Sequence, residues 1–236
     1  MIPLRDENPA RTTPYIVYIL IAANVLIYLY NGSLGPHTHN PLAGFELVPA
    51  KLFGGRDLGA PGPVAPWMTI FTSMFMHANL FHVGGNMLYL WIFGNNIEDV
   101  LGHFKFTFFY LASGLAAALA QVAASPMSHV PMVGASGAIA GVLGAYFLLF
   151  PRARIISLVI LVFFIQVTAL PAWIVLGFWI VLQVIYSTLM AGGPGGGVAY
   201  AAHVGGFLAG IVMILLLGGG RLLRGRQTAG YRSYRW

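Results

Sequence analysis

Residues 134–150 have the sequence GASGAIAGVLGAYFLLF, an apolar run without a charged side chain. Its third residue is Ser136. Gly137, Gly141 and Gly144 recur at intervals of four and three residues, which places them on one side of a helix. Small residues on one side of an apolar helix allow a second helix to approach closely within a lipid bilayer. The stretch therefore predicts a membrane-embedded helix over residues 136–150, with a serine at its first position.

The composition of the whole chain is also that of a membrane protein. Of its 236 residues, 58% are hydrophobic and 8% are charged, whereas soluble domains carry about 25% charged residues. The absence of cysteine excludes disulfides, thiolate metal ligands and a cysteine nucleophile. The net charge is +6, but the basic residues cluster at the ends of apolar stretches rather than on one aromatic-rich face. Nucleic acid is therefore not an expected partner.

Six apolar stretches are long enough to cross a bilayer, which takes roughly 20 mostly apolar residues. They are residues 14–30, 80–96, 104–124, 136–150, 171–189 and 200–217. A seventh run, residues 155–167, is too short and too rich in β-branched residues, so we expect an interfacial or hairpin-like segment. The predicted fold class is an all-α membrane protein with a six-helix bundle. The first stretch lacks the features of a cleaved signal peptide, and we expect a retained span and a full-length chain.

The basic residues predict the orientation. With six crossings, ten of the twelve Lys and Arg residues lie on the side of both termini, and Lys51 and Arg56 lie opposite. The positive-inside rule then places both termini in the cytoplasm. We divide the chain into a cytoplasmic N-terminus (residues 1–13), a membrane domain (residues 14–217) and a basic tail (residues 218–236) that is expected to contact anionic lipid headgroups. The segment between the first two spans is predicted to be a partly helical, interfacial outer loop.

Four polar side chains lie at the outer ends of predicted spans. His82 and Asn86 are four residues apart on the second span and share a helical face, Ser136 begins the fourth span, and His203 lies about one turn into the sixth. Polar groups inside spans are costly and are therefore candidates for function. Because spans two, four and six all start outside, these side chains converge at one depth. If residues 155–167 also crossed, His203 and Ser136 would lie on opposite sides.

Ser136 and His203 have the chemistry of a serine hydrolase, in which a base within hydrogen-bond reach activates the hydroxyl. Glu98 and Asp99 belong to the cytoplasmic side of the second span. No carboxylate lies in the outer half of any span, so a Ser-His-Asp triad is excluded. A Ser-His dyad is the remaining arrangement.

Donors for an oxyanion are also present in the sequence. Asn86 offers an amide, His82 offers an imidazole N–H, and the backbone N–H of Ser136 lies at a helix N-terminus, where the dipole favours negative charge. Gly134 belongs to a turn that lets the backbone approach a substrate closely. Glycines four residues apart on both the fourth and the sixth span predict close packing between these two helices.

Three local patterns together resemble the signatures of the rhomboid family of intramembrane serine proteases. They are Gly-Ala-Ser136-Gly, His82-x-x-x-Asn86 and Ala-His203-x-x-Gly206-x-x-x-Gly210. The resemblance extends from about residue 67 to residue 217. It implies a six-helix bundle with a water-accessible cavity open to the outside, in which single-span transmembrane proteins are cleaved. It also implies Ser136 as nucleophile, His203 as base, and assistance to the oxyanion from His82 and Asn86.

The sequence departs from the family pattern at two places. The Trp-Arg pair often found in the first outer loop is Trp67-Met68 here. The aromatic residue common four positions after the nucleophile is Ala140 here, so His203 must be oriented by other packing.

Alternative interpretations of the same residues stay open. Ser136 would also suit a tight helix contact, and His203 an interhelical hydrogen bond. A metal site from His77, His82 and His203 lacks a further ligand, so no metal or other cofactor is expected. A small transporter and a rhomboid-like protein that binds membrane clients without cleaving them are the alternative functions. The expected location is the cytoplasmic membrane of a prokaryote, and the sequence does not determine the oligomeric state.

Overall fold

The computed structural model describes residues 1–33, 42–53, 62–161, 164–189, 198–222 and 224. The α-helices in these ranges are α1 (Tyr15–Ser33), α2 (Pro49–Leu52), α3 (Thr69–Thr72), α4 (Leu80–Tyr89), α5 (Asn95–Leu101), α6 (His103–Ala124), α7 (Ser136–Leu149), α8 (Ala172–Leu189) and α9 (Tyr200–Leu216). Three strands, β1 (Ile2–Asp6), β2 (Arg154–Leu161) and β3 (Phe164–Pro171), form one sheet in the order β1-β2-β3.

Each predicted span coincides with helical structure whose ends lie within a few residues of the prediction. By length and composition, Tyr15–Gly32, His103–Ala124 and Ala172–Leu189 are able to cross a membrane, and α7 and α9 are shorter apolar helices. The number of helices that cross stays a prediction. Most of the basic tail, like the predicted lipid contact there, lies outside the described residues.

The second predicted span forms one long helix in three parts. A π-helical turn, Leu90–Gly94, joins α4 to α5. The helix begins where the side-chain Oδ1 of Asn79 accepts a hydrogen bond from the backbone N–H of His82 at 2.9 Å, which satisfies one of the free donors at a helix N-terminus. It ends before Gly102, whose φ of 76° favours glycine. The cap at Asn79 places His82 and Asn86 in the first two turns.

The prediction of an all-α fold is wrong for the sheet. Residues 155–167, predicted to be interfacial or hairpin-like, belong to an antiparallel hairpin of β2 and β3, consistent with their β-branched side chains. The N-terminal segment, residues 1–13, contains β1, which pairs antiparallel with β2. The pairing places the N-terminal segment and the α7–α8 connection on the same side of the bundle.

Helices α7 and α9 approach each other so closely that glycine is required at the contact. A Cβ atom at Gly206 would overlap the carbonyl oxygen of Gly137, and one at Gly210 would overlap that of Gly141. A Cβ atom at Gly144 would overlap the carbonyl oxygen of Phe207. The close packing predicted from the glycine spacing is therefore present, and a larger residue at these positions would separate the helices.

The described part of the loop between α1 and α4 packs against the turn that leads into α7. It contains the short helices α2 and α3. Leu47 forms an isolated antiparallel bridge with Met132, and the carbonyl oxygen of Ser73 accepts a hydrogen bond from the backbone N–H of Gly134 at 2.9 Å. These backbone contacts fix the turn immediately before the first residue of α7.

At the opposite end of the bundle, α5 carries the fully buried carboxylate of Glu98. Its oxygens accept hydrogen bonds from the backbone N–H groups of Ile16 at 2.9 Å and Val17 at 2.8 Å. Such N–H groups in the first turn of a helix have no partner within the helix. The ring nitrogen Nδ1 of His103 lies 2.6 Å from the same carboxylate. Glu98 thus fixes the start of α1 against the bundle.

Candidate active site

The structure brings the side chains of Ser136 and His203 into direct contact. Ser136 is the first residue of α7 and His203 lies in the first turn of α9. The distance between Ser136 Oγ and His203 Nε2 is 2.8 Å, which is the distance of a good hydrogen bond. His203 is 8% exposed. The pair is therefore placed for transfer of the hydroxyl proton to the imidazole.

The glycine contact between α7 and α9 explains why these two side chains meet. Gly206 lies three residues after His203 on α9, and it faces the carbonyl oxygen of Gly137, the neighbour of Ser136 on α7. Residues three apart lie on the same side of a helix. The approach of the two backbones at this level thus sets the distance between hydroxyl and ring.

Two residues of α8 hold the other side of the His203 ring. The side-chain Oε1 of Gln183 lies 2.7 Å from His203 Nδ1, and the rings of Trp179 and His203 have centroids 5.7 Å apart. Sequence reasoning missed both residues. The available signal was a single amide in the apolar stretch of residues 171–189, with an aromatic residue one turn before it. Gln183 and Trp179 together orient the His203 ring, which the small Ala140 does not do.

His82 and Asn86 converge on the turn that precedes Ser136. Gly134 in this turn has a φ of +123°, a conformation that side-chain-bearing residues rarely adopt. A Cβ atom at Gly134 would lie 2.6 Å from His82 Nε2 and 3.5 Å from Asn86 Nδ2. Glycine at this position therefore allows both side chains to approach the backbone two residues before the serine.

His77, which the sequence suggested only as a conceivable metal ligand, is a further residue of the site. It lies just before α4, two residues ahead of the N-cap at Asn79. Its Nε2 lies 2.9 Å from Asn86 Nδ2, and its ring packs edge-on against the ring of His82 with centroids 5.0 Å apart. Burial, aided by the neighbouring His82, lowers the pKa of His77 to about 4. His77 is thus neutral near pH 7 and accepts a hydrogen bond from the amide of Asn86.

A cavity lies beside Ser136, between α6, α7 and the start of α9. Its wall near the serine is made of small residues, among them Ala117, Gly137 and Ala202. Ser136 also heads α7, and the first N–H groups of a helix point outward without partners in the helix. The site therefore combines space beside the hydroxyl with backbone donors at the same helix end.

These features define a class of protein. The chain is an integral membrane protein built mainly from apolar helices, with a hydrogen-bonded serine and histidine at the ends of two closely packed helices. The family model of the Rhomboid domain matches residues 65–220. The chain therefore belongs to the rhomboid family, as the resemblance in its sequence indicated.

Similar proteins come from several kinds of organism. Rhomboid protein 1, mitochondrial, of Saccharomyces cerevisiae is 33% identical over 151 residues, which is 61% of this chain and 40% of that protein. Rhomboid protease GluP of Bacillus subtilis is 33% identical over 134 residues, 56% of this chain and 24% of that protein. Rhomboid-like protein 11, chloroplastic, of Arabidopsis thaliana is 29% identical over 168 residues, 64% of this chain and 52% of that protein. The chain thus spans about half or less of the length of these relatives.

Proposed function

We propose that the chain is an intramembrane serine endopeptidase that cleaves single-span membrane proteins near the outer membrane face. Ser136 and His203 form its catalytic dyad. The observation that carries the proposal is the 2.8 Å contact between Ser136 Oγ and His203 Nε2 at the ends of two apolar helices. Membership of the rhomboid family supports it, and the Bacillus subtilis relative is named a protease.

The dyad performs hydrolysis in two halves. His203 Nε2 takes the proton of Ser136 Oγ as the oxygen attacks the scissile carbonyl carbon, and the carbonyl electron pair moves onto its oxygen. When this intermediate collapses, the C–N bond breaks and the imidazolium proton passes to the leaving amine. A water molecule then attacks the acyl ester with the same base. The carboxylic acid leaves and Ser136 regains its proton.

The negative charge that develops on the carbonyl oxygen is assigned to donors around the turn at Gly134. The convergence of His82 and Asn86 on this turn supports the assignment. The backbone N–H of Ser136, at the start of α7, is a third donor, and the helix dipole favours the anion there. Gly134 and Ser136 line the cavity beside α7, and this cavity gives the substrate backbone access to these groups.

We further propose that six helices cross the bilayer and that both chain termini face the cytoplasm. The distribution of ten basic residues against two supports this orientation. The pairing of β1 with β2 supports one part of it, because it places the N-terminal segment on the same side as the connection that contains Arg152 and Arg154. We place the chain in the cytoplasmic membrane of a prokaryote, for which its bacterial relative offers support.

The proposal is tested by reconstituting the purified chain in liposomes with a model single-span substrate. Wild-type protein is expected to cleave the substrate, and Ser136→Ala and His203→Ala are expected to abolish cleavage while remaining folded. Ser113→Ala is the matched control, because Ser113 is a fully buried serine in α6 that lies against Gly141. It is expected to retain activity.

Cleavage by folded Ser136→Ala would contradict the proposed dyad. If folded wild-type protein binds several single-span proteins and cleaves none, the client-binding alternative would replace the protease. Transport of a solute by both wild type and Ser136→Ala would instead favour the transporter.

A further inference from the structure

We propose that Gln183 is a positioning residue that holds the imidazole of His203 in the tautomer required for catalysis. The inference rests on the proposed function, since it assigns a role in the same dyad. In this tautomer His203 Nδ1 carries the proton, and Nε2 keeps the lone pair that accepts the proton of Ser136.

The hydrogen bonds of the Gln183 side chain determine the direction of its amide. Its Nε2 lies 3.4 Å from the backbone carbonyl oxygen of Trp179, one helical turn earlier on α8. A carbonyl oxygen accepts hydrogen bonds and never donates them, so the NH₂ group of the amide must face Trp179. The amide oxygen Oε1 then faces His203 Nδ1 at 2.7 Å.

An amide oxygen next to a ring nitrogen decides which nitrogen carries the proton. Oε1 can only accept, so His203 Nδ1 must be the donor. In a neutral imidazole the second nitrogen, Nε2, is then the acceptor. This nitrogen lies 2.8 Å from Ser136 Oγ, so the amide on one side of the ring prepares the base on the other side.

Because the site is buried, the hydrogen bond from His203 Nδ1 to Gln183 Oε1 is important. His203 and Gln183 are 8% and 9% exposed, so little water is available to replace a lost partner of Nδ1. In the described residues, the buried carboxylates of Glu98 and Asp99 are bonded to the start of α1 and to Thr12, at the far end of the bundle. A neutral amide performs the orientation without the cost of burying a charge beside the site.

Trp179 restricts the ring of His203 by packing. It lies four residues before Gln183 and hence on the same face of α8. Its ring makes a tilted contact with the ring of His203, at an interplanar angle of 36°. One helix face therefore supplies both a surface and a hydrogen-bond acceptor to the histidine, while α7 has only Ala140 four residues after the serine.

The test compares Gln183→Met, Gln183→Glu and Gln121→Met with wild type in the liposome assay. Methionine is close in size and cannot accept the Nδ1 proton, so kcat is expected to fall about 10- to 10³-fold with KM changed less than about twofold. Glutamate restores an acceptor at the same position and is expected to recover most of the lost kcat, with a lower free energy of unfolding because its carboxyl group is buried. Gln121 is a matched control, because its Oε1 accepts the backbone N–H of Ala202 at 3.2 Å instead of contacting the ring.

The outcomes separate this inference from the proposed function. Wild-type kcat in folded Gln183→Met would overturn the positioning role while leaving the dyad intact, provided that Ser136→Ala is inactive. A loss in Gln183→Met that Gln183→Glu does not recover, or an equal loss in Gln121→Met, would show a packing effect and also overturn the role. Absence of cleavage by wild type, with all variants folded, would contradict the proposed function itself.

Discussion

His82 and Asn86 lie at the beginning of the helix formed by α4 and α5, and Glu98 and Asp99 lie at its end. At the first end, which we term the site end, the polar side chains around Ser136 are imidazoles and amides. The other end, the carboxylate end, is formed by Asp6, Glu98 and Asp99. The two ends use buried polar groups in different ways.

At the carboxylate end, charges satisfy backbone donors and anchor segments. Glu98 accepts the first N–H groups of α1, and Asp99 accepts the N–H of Thr12 at 2.9 Å and its hydroxyl at 2.6 Å. Asp6 of β1 accepts the hydroxyl of Tyr146 at 2.7 Å. Charge-assisted bonds of this kind are strong, and they hold the N-terminal segment to α5 and α7.

At the site end, the side chains that orient His203 and Asn86 are uncharged. A carboxylate beside His203 would bring an additional buried charge into an apolar bundle, which is expensive. The amide of Gln183 orients the ring without that charge, and the neutral ring of His77 accepts a bond from Asn86. The comparison predicts that changes at the site end lower kcat, whereas changes at the carboxylate end lower stability.

The largest effect is expected for the dyad itself. Ser136→Ala and His203→Ala should each lower kcat by about 10⁴- to 10⁶-fold, and the double variant should be no worse than either single one, because the two residues act as a unit. The measurement is single-turnover cleavage in liposomes. Losses that multiply in the double variant would show that serine and histidine act separately.

The next effect is on stability at the carboxylate end. Glu98→Ala leaves the N–H groups of Ile16 and Val17 without their acceptor and should lower the free energy of unfolding by about 3 to 5 kcal/mol. Denaturant titration of the protein in detergent measures this, with Glu98→Gln expected to lose less because one acceptor remains. Full stability with a reduced kcat in Glu98→Ala would abolish the distinction between the two ends.

Asn86→Ala tests the oxyanion donors at the site end. We expect kcat to fall about 10- to 10³-fold with little change in KM, since the backbone N–H of Ser136 remains. His82→Ala should lose more, because its ring also packs against His77. Measurement of kcat, KM and Tm for both variants separates chemistry from folding. An unchanged kcat in well-folded Asn86→Ala would remove this residue from the site.

The smallest expected effect is the change with pH in the stability that Asp6 contributes at the carboxylate end. Burial raises the pKa of the Asp6 carboxyl above its ordinary value of 3.8, although the bond from Tyr146 opposes the shift. The raised pKa in the folded protein favours the protonated form of Asp6. Protonated Asp6 therefore contributes to stability at pH values below the pKa of the group in the unfolded chain, and this contribution is lost as the pH rises through its pKa in the folded protein.

Asp6→Asn removes this titration. Relative to wild type, the variant should gain about 1 kcal/mol or less as pH rises from about 4, measured as the difference between the two unfolding free energies at each pH. Tyr146→Phe is the control that removes the hydroxyl and keeps the titrating group. If the unfolding free energy of Asp6→Asn minus that of wild type falls with rising pH, the result contradicts the assignment.

Much of the bundle could be predicted from the sequence, because membrane helices are long and apolar. The helix ends and the approach of Ser136 to His203 followed from span lengths and from glycine spacing. Strand β1 could not be predicted, since its five residues have no strand pattern of their own and are ordered by pairing with β2.

The missed residues of the site depend on how helices rotate against each other. Gln183 faces His203 because of the rotation of α8 in the bundle, and an apolar helix surrounded by lipid and protein shows little periodicity that would reveal it. The packing of α8 against α9, rather than a local pattern, determines this partner.

The proposed mechanism requires that His203 activates Ser136 as a nucleophile in the folded membrane protein. Its most direct measurement is labelling of the reconstituted chain by a fluorophosphonate probe, with the modified residue identified by mass spectrometry. We expect modification of Ser136, no modification in Ser136→Ala, and strongly reduced modification in His203→Ala. Failure of the folded wild-type protein to react, or labelling of His203→Ala at the wild-type rate, would contradict it.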